Sequence, residues 1–292
     1  MPEGKIIKSL SGFYYIPYEG RVISCHARGK LKKNNIVPLV GDRAVFTLND
    51  SSDGIIEEIL PRKNSLIRPQ VANIDSVIFV ASNVIPVTDN YLIDKFSVIA
   101  EASGCRFVIC VNKADIEESD IISKKYDSIG FKVIKTSTVT GEGIDELKNE
   151  LKGKTSVISG NSGVGKSSII NKLIPDLDLQ TDEVSIKLGR GKHTTRHVEL
   201  FSVDADSYII DTPGFSSFDV FLYEKLKNES LDNFFIDFSE HKKKCAYDDC
   251  RHINEPGCEV LDAVRKEKIN RDRYESYKRM YSEYSSLVSS QY

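Results

Sequence analysis

Residues Thr155–Ile174 read TSVISGNSGVGKSSIINKLI. Five residues, Thr155–Ser159, run strand-like into Gly160, and an apolar-periodic stretch follows Lys166. A strand, a glycine turn and a helix are therefore written in succession. The turn satisfies G-x-x-x-x-G-K-[ST] through Gly160, Gly165, Lys166 and Ser167. Glycines let successive N–H groups point inward at phosphates. Lys166 is placed for the β and γ phosphates, Ser167 offers its hydroxyl to Mg²⁺, and the helix adds its positive N-terminus. The contacting loop is Gly160, Asn161, Ser162, Gly163, Val164, Gly165, Lys166, Ser167 and Ser168.

Downstream, YIIDTPG (208–214) closes a strand with Asp211, placed to hold Mg²⁺, and Gly214, whose N–H suits the γ-phosphate. Between them lies LGRGKHTTRHVEL (188–200), a polar loop before a strand. A hydroxyl from it completes the Mg²⁺ shell, from Thr195 or from Thr194 beside it. Phe215 stands where many regulatory GTPases carry a water-orienting glutamine, and a phenyl ring cannot orient water. His193 is a catalytic candidate for that task, or else an ordinary loop histidine.

Upstream, RFVICV (106–111) is strand-like and ends in Asn112, Lys113, Ala114 and Asp115. The Asp115 carboxylate can accept from guanine N1–H and its 2-amino group, a donor pair that adenine lacks. Asn112 would anchor the base and nearby backbone, and the Lys113 stem would lie along the ring face. The next strand, KVIKTS (132–137), runs into STVTGEG, where Ser137 and Thr138 can offer N–H groups to the guanine oxygen. The order is thus base motif, second base loop, phosphate loop, switch threonine, D-x-x-G. This is a circular permutation of the usual GTPase order, tolerable because the termini of compact domains often lie close together.

Around these motifs, DSVIFVAS (75–82), YLIDKFSVIAEASG (91–104), a polar stretch near 117–129 and GIDELKNELKG (143–153) alternate strand and helix, as a parallel sheet with covering helices requires. Residues 1–66 read differently. FYYIPY, RVISCHA, AVFTL and GIIEEI are short strands between turns, the pattern of a small β-barrel. PRKNSLIRPQ (61–70) reads as a linker. Beyond about residue 230 the chain is helical and polar.

Cys245, Cys250, His252 and Cys258 form C-x₄-C-x-H-x₅-C. Three thiolates and an imidazole make a closed tetrahedral set, the donor set of structural zinc. Cys25, Cys105 and Cys110 are scattered and read as small buried hydrophobes. The net charge is −3, yet residues 1–68 hold 11 Lys/Arg against 7 Asp/Glu. Seven basic and three acidic residues fall in 265–279. Basic flanks suggest an anionic partner. Arg21, Arg28, Lys30, Lys32 and Lys33 in the first domain, and Arg265, Lys266, Lys268, Arg271 and Arg273 in the last, are candidates to meet it. No apolar run reaches membrane-span length and the first residues lack a secretory layout, so a cytoplasmic protein is expected.

RPQVANID (68–75), VNKAD, STVTGEG, GNSGVGKSS, GRGKHTTRH, DTPGF and the cysteine cluster together resemble the circularly permuted, ribosome small-subunit-dependent GTPase A family (RsgA, also called YjeQ or YloQ) over nearly the whole chain. The resemblance implies an OB-fold-like barrel over 1–66, a circularly permuted α/β phosphate-loop GTPase domain over 67–228, and a helical zinc-binding domain over 229–292. It implies GTP as substrate, GDP as product, Mg²⁺, and one structural Zn²⁺ on Cys245, Cys250, His252 and Cys258. It also implies a monomer that acts on the small (30S) ribosomal subunit and its 16S rRNA late in maturation, with weak hydrolysis stimulated by the subunit. A second reading is a nucleotide-regulated RNA-binding module without significant turnover. A third, a transport or signalling GTPase, is disfavoured by the barrel and the zinc cluster.

Overall fold

The structure, a computed structural model, describes residues 1–49, 53–66, 70–116, 120–175, 177, 199–211, 222 and 224–289, without the side chains of Lys32, Asp211 and 286–289. Residues 3–59 curl into a barrel. Its strands are β1 (Glu3–Lys5), β2 (Lys8–Leu10), β3 (Phe13–Tyr18), β4 (Arg21–Ala27), β5 (Arg43–Leu48) and β6 (Gly54–Ile59). The pairing order is β1-β5-β6-β4-β3-β2. Only Ile6 and Ile7 separate β1 from β2, so one kinked segment supplies both ends of the sheet and closes it. That connectivity is the OB-type barrel. Alternation along β3 and β4 sends Ile16, Ile23 and Cys25 into a core with Ile6, Ala44, Phe46 and Ile56. A short helix, α1 (Gly29–Lys33), follows β4 and seals that core with Leu31. Its basic composition hides it from a periodicity reading.

Residues 61–66 are not a free linker. β7 (Ser65–Leu66) pairs antiparallel with β8 (Val71–Ala72), and Val71 bridges to Val40 of the barrel. Leu66 and Val71 are buried, and the Asn64 amide donates to the carbonyls of Ile74 and Ser103. Buried apolar side chains and a side-chain clamp hold the stretch after Pro61 in place.

The second sheet has the order β11-β10-β9-β12-β14-β13. Its strands are β9 (Ser76–Ser82), β10 (Arg106–Asn112), β11 (Lys132–Lys135), β12 (Thr155–Gly160), β13 (Phe201–Ser202) and β14 (Tyr208–Asp211). All neighbours are parallel except β13 with β14. β9, β10 and β12 are apolar almost throughout, as parallel strands covered on both faces must be. Helices α2 (Asn90–Ala102), α3 (Ile121–Asp127), α4 (Ile144–Leu151) and α5 (Lys166–Leu173) cover it. Asp89 caps α2 by accepting from the Tyr91 N–H at 2.9 Å. The barrel docks on the β13–β14 edge of this sheet. The Leu200 N–H donates to Ile7 O (2.8 Å), Lys8 pairs with Glu199 (2.9 Å), and Lys5 Nζ donates to Thr155 Oγ1 (2.8 Å).

After two 3₁₀ turns (Leu231–Phe234 and Ile236–Phe238) come α6 (Ser239–Lys242), α7 (Glu259–Arg265) and α8 (Arg271–Ser289). The apolar side chains here are not scarce. Phe234, Phe235, Phe238, Val260, Tyr277 and Met280 continue the cluster formed by Phe79, Phe96 and Phe107 under α2. This terminal unit therefore shares a core with the sheet. Arg273, read from sequence as a contact to an anionic partner, is buried in that seam. It donates to Asp94 Oδ1 of α2 (2.9 Å) and to Asp237 Oδ1 (2.8 Å), with its guanidinium over the Phe235 ring. Burial of so many aromatics around it makes a paired cation a structural clamp rather than a surface charge. Among the described residues no helix is long and apolar enough to cross a membrane.

Candidate functional site

β9, β10, β11 and β12 run parallel, so their carboxyl ends meet along one edge, where open α/β sheets carry their ligand loops. β10 delivers Asn112, β11 delivers the 136–143 loop, and β12 delivers the glycine loop into α5. The two base segments and the phosphate loop, far apart in sequence, thus become neighbours.

The contact is direct. Asn112 is buried, and its amide donates to Val164 O at 2.8 Å. Its carbonyl oxygen accepts from Thr136 Oγ1 at 3.2 Å. One side chain ties the base motif to the phosphate loop on one side and to the second base loop on the other. Two glycines permit this. A Cβ on Gly165, at φ +96°, would lie 2.3 Å from the Asn112 amide nitrogen. A Cβ on Gly160, at φ +144°, would lie 2.2 Å from Val80 O. In both cases the close neighbour and the positive φ exclude any side chain.

Lys166 Nζ donates to Gly160 O (2.8 Å) and Asn161 O (2.6 Å), holding its charge inside the curl of the loop. With the N-terminus of α5 it forms an anion cradle. Ser162 and Gly163 stand exposed at the loop's crest, with Ser167 and Ser168 half-buried at its base. Asp115 is exposed at the edge and accepts from the Ser137 hydroxyl. The Ser137 N–H is engaged by Glu142 O (3.0 Å), so Ser137 brings its hydroxyl, not its N–H, to the base loop. Lys113, at φ +65°, extends to donate to Ile85 O at 2.8 Å. Backbone pairing sets Asp211 beside Ile158 at the end of β14. The side chain of Asp211, and all of His193, Thr194, Thr195, Gly214 and Phe215, lie outside the described residues.

The second constellation is the cysteine cluster. The ligand atoms of Cys245, Cys250, His252 and Cys258 all lie within 4.8 Å of one another. His252 Nδ1 is 3.4 Å from Cys258 Sγ and 3.6 Å from Cys245 Sγ. The cysteines are unlinked. Burial pushes the Cys250 thiol up to about 12. Three soft anions and one imidazole fit one zinc ion. Tyr274 and Tyr277 of α8 donate to the carbonyls of His252 and Arg251, fixing the loop.

Sequence reasoning missed three participants. Thr136 joins Asn112 to Cys110, whose Sγ lies 3.2 Å from its hydroxyl. Ile85 anchors Lys113 through a backbone carbonyl, which no sequence pattern records. Asp232 faces the other nitrogen of His252, with Oδ2 3.8 Å from Nε2. Burial pushes Asp232 up, but His252, Ser230 and Lys242 outweigh it and hold its carboxyl well below the usual range. A carboxylate behind a ligating histidine orients the ring and raises its basicity.

Comparison with known proteins agrees with this geometry. The RsgA GTPase family model matches residues 59–221, and the RsgA N-terminal domain model matches residues 3–56. A relative from Caldanaerobacter subterraneus subsp. tengcongensis, named small ribosomal subunit biogenesis GTPase RsgA, is 45% identical over 278 residues, covering 94% of this chain and 93% of the relative. The crystal structure of YjeQ from Thermotoga maritima is 36% identical, with a TM-score of 0.81 over 97% of this chain and 98% of that one. The crystal structure of YloQ, described as a circularly permuted GTPase, is 35% identical, with a TM-score of 0.80 over 98% and 96%. With the base motif of β10 bonded to a phosphate loop that follows it in sequence, and with these matches spanning nearly the whole chain, the protein belongs to the RsgA GTPase family.

Proposed function

We propose that the chain is a GTP hydrolase that works on the small ribosomal subunit during its biogenesis, as the names of its relatives say of them. The observation that carries the guanine-nucleotide site is the Asn112–Val164 hydrogen bond, which makes one pocket of base and phosphate segments. Asp115, held by Ser137, accepts from guanine N1–H and its 2-amino group. Thr138 offers its N–H to the guanine oxygen, and the Lys113 stem lies along the ring. The N–H groups of 160–168 and the Lys166 ammonium take the phosphates. Ser167, Asp211 and Thr195 (or Thr194) would hold Mg²⁺, which when bound offsets charge on the phosphate oxygens. Water adds to the γ-phosphorus, the bond to the β–γ bridging oxygen breaks, and GDP, phosphate and a proton leave. Gly214 steadies the γ-phosphate by its N–H, and His193 positions the water in place of the glutamine that Phe215 replaces.

Cys245, Cys250, His252 and Cys258 would hold one zinc ion in a structural role, with Asp232 behind His252. The chain divides into a barrel (1–66), a permuted GTPase domain (67–228) and a zinc unit (229–292). It acts as a cytoplasmic monomer whose outer units meet 16S rRNA, with exposed Lys30, Lys33, Arg265, Lys268 and Arg271 among the contacts. Phosphate release is the test. Multiple turnover that rises strongly when purified small subunits are added supports the reading. Turnover indifferent to subunits defeats the ribosomal part, and single-turnover binding without product defeats hydrolysis.

A further inference from the structure

The outward face of the barrel carries a patch that the nucleotide site does not use. β2, β3, β4 and β6 place Leu10, Phe13, His26 and Ile55 in one cross-strand row, through the pairs Leu10↔Phe13, Phe13↔His26 and His26↔Ile55. Inward neighbours Ile16, Ile23, Cys25 and Ile56 fill the core, so this row faces solvent by alternation. Phe13 is 38% exposed, and its ring centroid lies 4.1 Å from that of the exposed His26. Further along the same face Pro17 is exposed opposite Val22, which is 57% exposed.

Aromatic rings on a barrel surface fit two kinds of occupant, an apolar protein surface or stacked nucleobases. The surrounding charge decides between them. Arg28 follows directly after the strand of His26, and its guanidinium takes up Glu57, the nearby acid. α1 starts two residues beyond β4 and exposes Lys30 and Lys33, which have no carboxylate within ion-pair reach among the described residues. Rings flanked by cations are the composition of a surface for unpaired nucleotides, in which bases stack on rings and phosphates meet ammonium groups. The position agrees, since OB-type barrels present ligands on the face of their second and third strands, here β3 and β4.

We infer that Phe13 and His26 form a stacking platform for an unpaired base of single-stranded RNA, with Lys30 and Lys33 on the flanking phosphates. The inference rests on the reading that this chain works on the small ribosomal subunit, and it names the part of that RNA the barrel takes: a looped-out or single-stranded stretch, not a helix.

The test uses the full chain and an unstructured ten-nucleotide RNA carrying one 2-aminopurine, whose emission is quenched by stacking. The expected result is quenching by the parent, with weaker binding to the same sequence as a duplex. Phe13→Leu keeps an apolar side chain but loses the π-face. It should bind the single strand about tenfold more weakly and quench little, whereas Phe13→Tyr should restore both. Nucleotide affinity, measured with a fluorescent GDP, shows that each variant is folded. Quenching by Phe13→Leu equal to the parent, or equal affinity for duplex, overturns the platform. Subunit-stimulated hydrolysis, measured on the same proteins, keeps the two ideas apart. A stimulated parent that ignores single-stranded RNA sinks the platform alone, while an unstimulated parent sinks the ribosomal reading.

Discussion

Asn112 sits between three segments, and the two atoms of its amide serve two of them. Gly165 is part of that arrangement, because a methyl group there would displace the amide while also bearing the strain of a left-handed residue, about 1–2 kcal/mol. Gly165→Ala should therefore weaken GDP and GTP binding at least about tenfold, measured by equilibrium titration. Asp115→Asn replaces one acceptor of the carboxylate with a donor. Hydrogen bonds to charged groups contribute about 1.5–3 kcal/mol each, so GTP affinity should fall by roughly 100-fold and preference should move toward xanthosine triphosphate. Competition between the two nucleotides measures it. Asn112, Asp115 and the phosphate loop were legible because short motifs dictate both their residue types and their place at strand ends. Asp232 was not. A lone aspartate 20 residues before His252 carries no pattern, and only the packing of the 3₁₀ turn brings it to the ring.

At the scale of elements, α8 shows what charge patterning conceals. Seven basic residues in 265–279 resemble an RNA-facing helix, but a charge count does not say which side of a helix is buried. The buried set Arg273, Tyr274, Tyr277, Met280 and Tyr284 recurs at helical spacing and lies against α2. Arg279 lies over the Tyr91 ring at 3.7 Å and Tyr91 donates to Glu283, so even exposed charges on α8 serve the seam. Arg273→Met would leave Asp94 and Asp237 buried without their cation. Breaking a buried pair in this way costs about 3–5 kcal/mol. Urea unfolding should show a loss of that size, and adding Asp94→Leu should recover part of it. β9, β10 and β12 were legible nearly to the residue, since long apolar runs leave little choice, whereas β13 is a two-residue strand inside the longer stretch that reads as one. The β7–β8 ladder was not, because its strands are two residues long and their pairing depends on partners in both domains.

Across the whole molecule, the six cysteines offer a reading of its architecture. Cys25, Cys105 and Cys110 are buried within the barrel and the sheet, away from the cysteine cluster, so these thiols should resist alkylation near pH 8 while the fold holds. With zinc bound, Cys245, Cys250 and Cys258 should be protected as well. The number of thiols titrated should be none in the native protein, three after chelation and six after denaturation. Six reactive thiols after chelation alone would mean that the zinc unit holds the rest of the fold. The shared core under α2 predicts otherwise, and GDP affinity should survive chelation with little change. Stimulation by small subunits should not, if the zinc unit helps to grip RNA.

The seam between α2 and α8 also bears on how the chain is made. Translation delivers β9, β10 and β11 first, a parallel trio with one edge of β9 bare. Asn112 then waits 52 residues for its Val164 partner, about 3–10 s at the usual pace of synthesis. Asp94 waits longer, since Arg273 follows it by 179 residues. Nucleotide can enter only after the bare edge is filled by β12, and α2 gains its countercharge only as the last helix emerges. The permuted gene order therefore makes the base loops wait for the phosphate loop, the reverse of the usual sequence of events during synthesis.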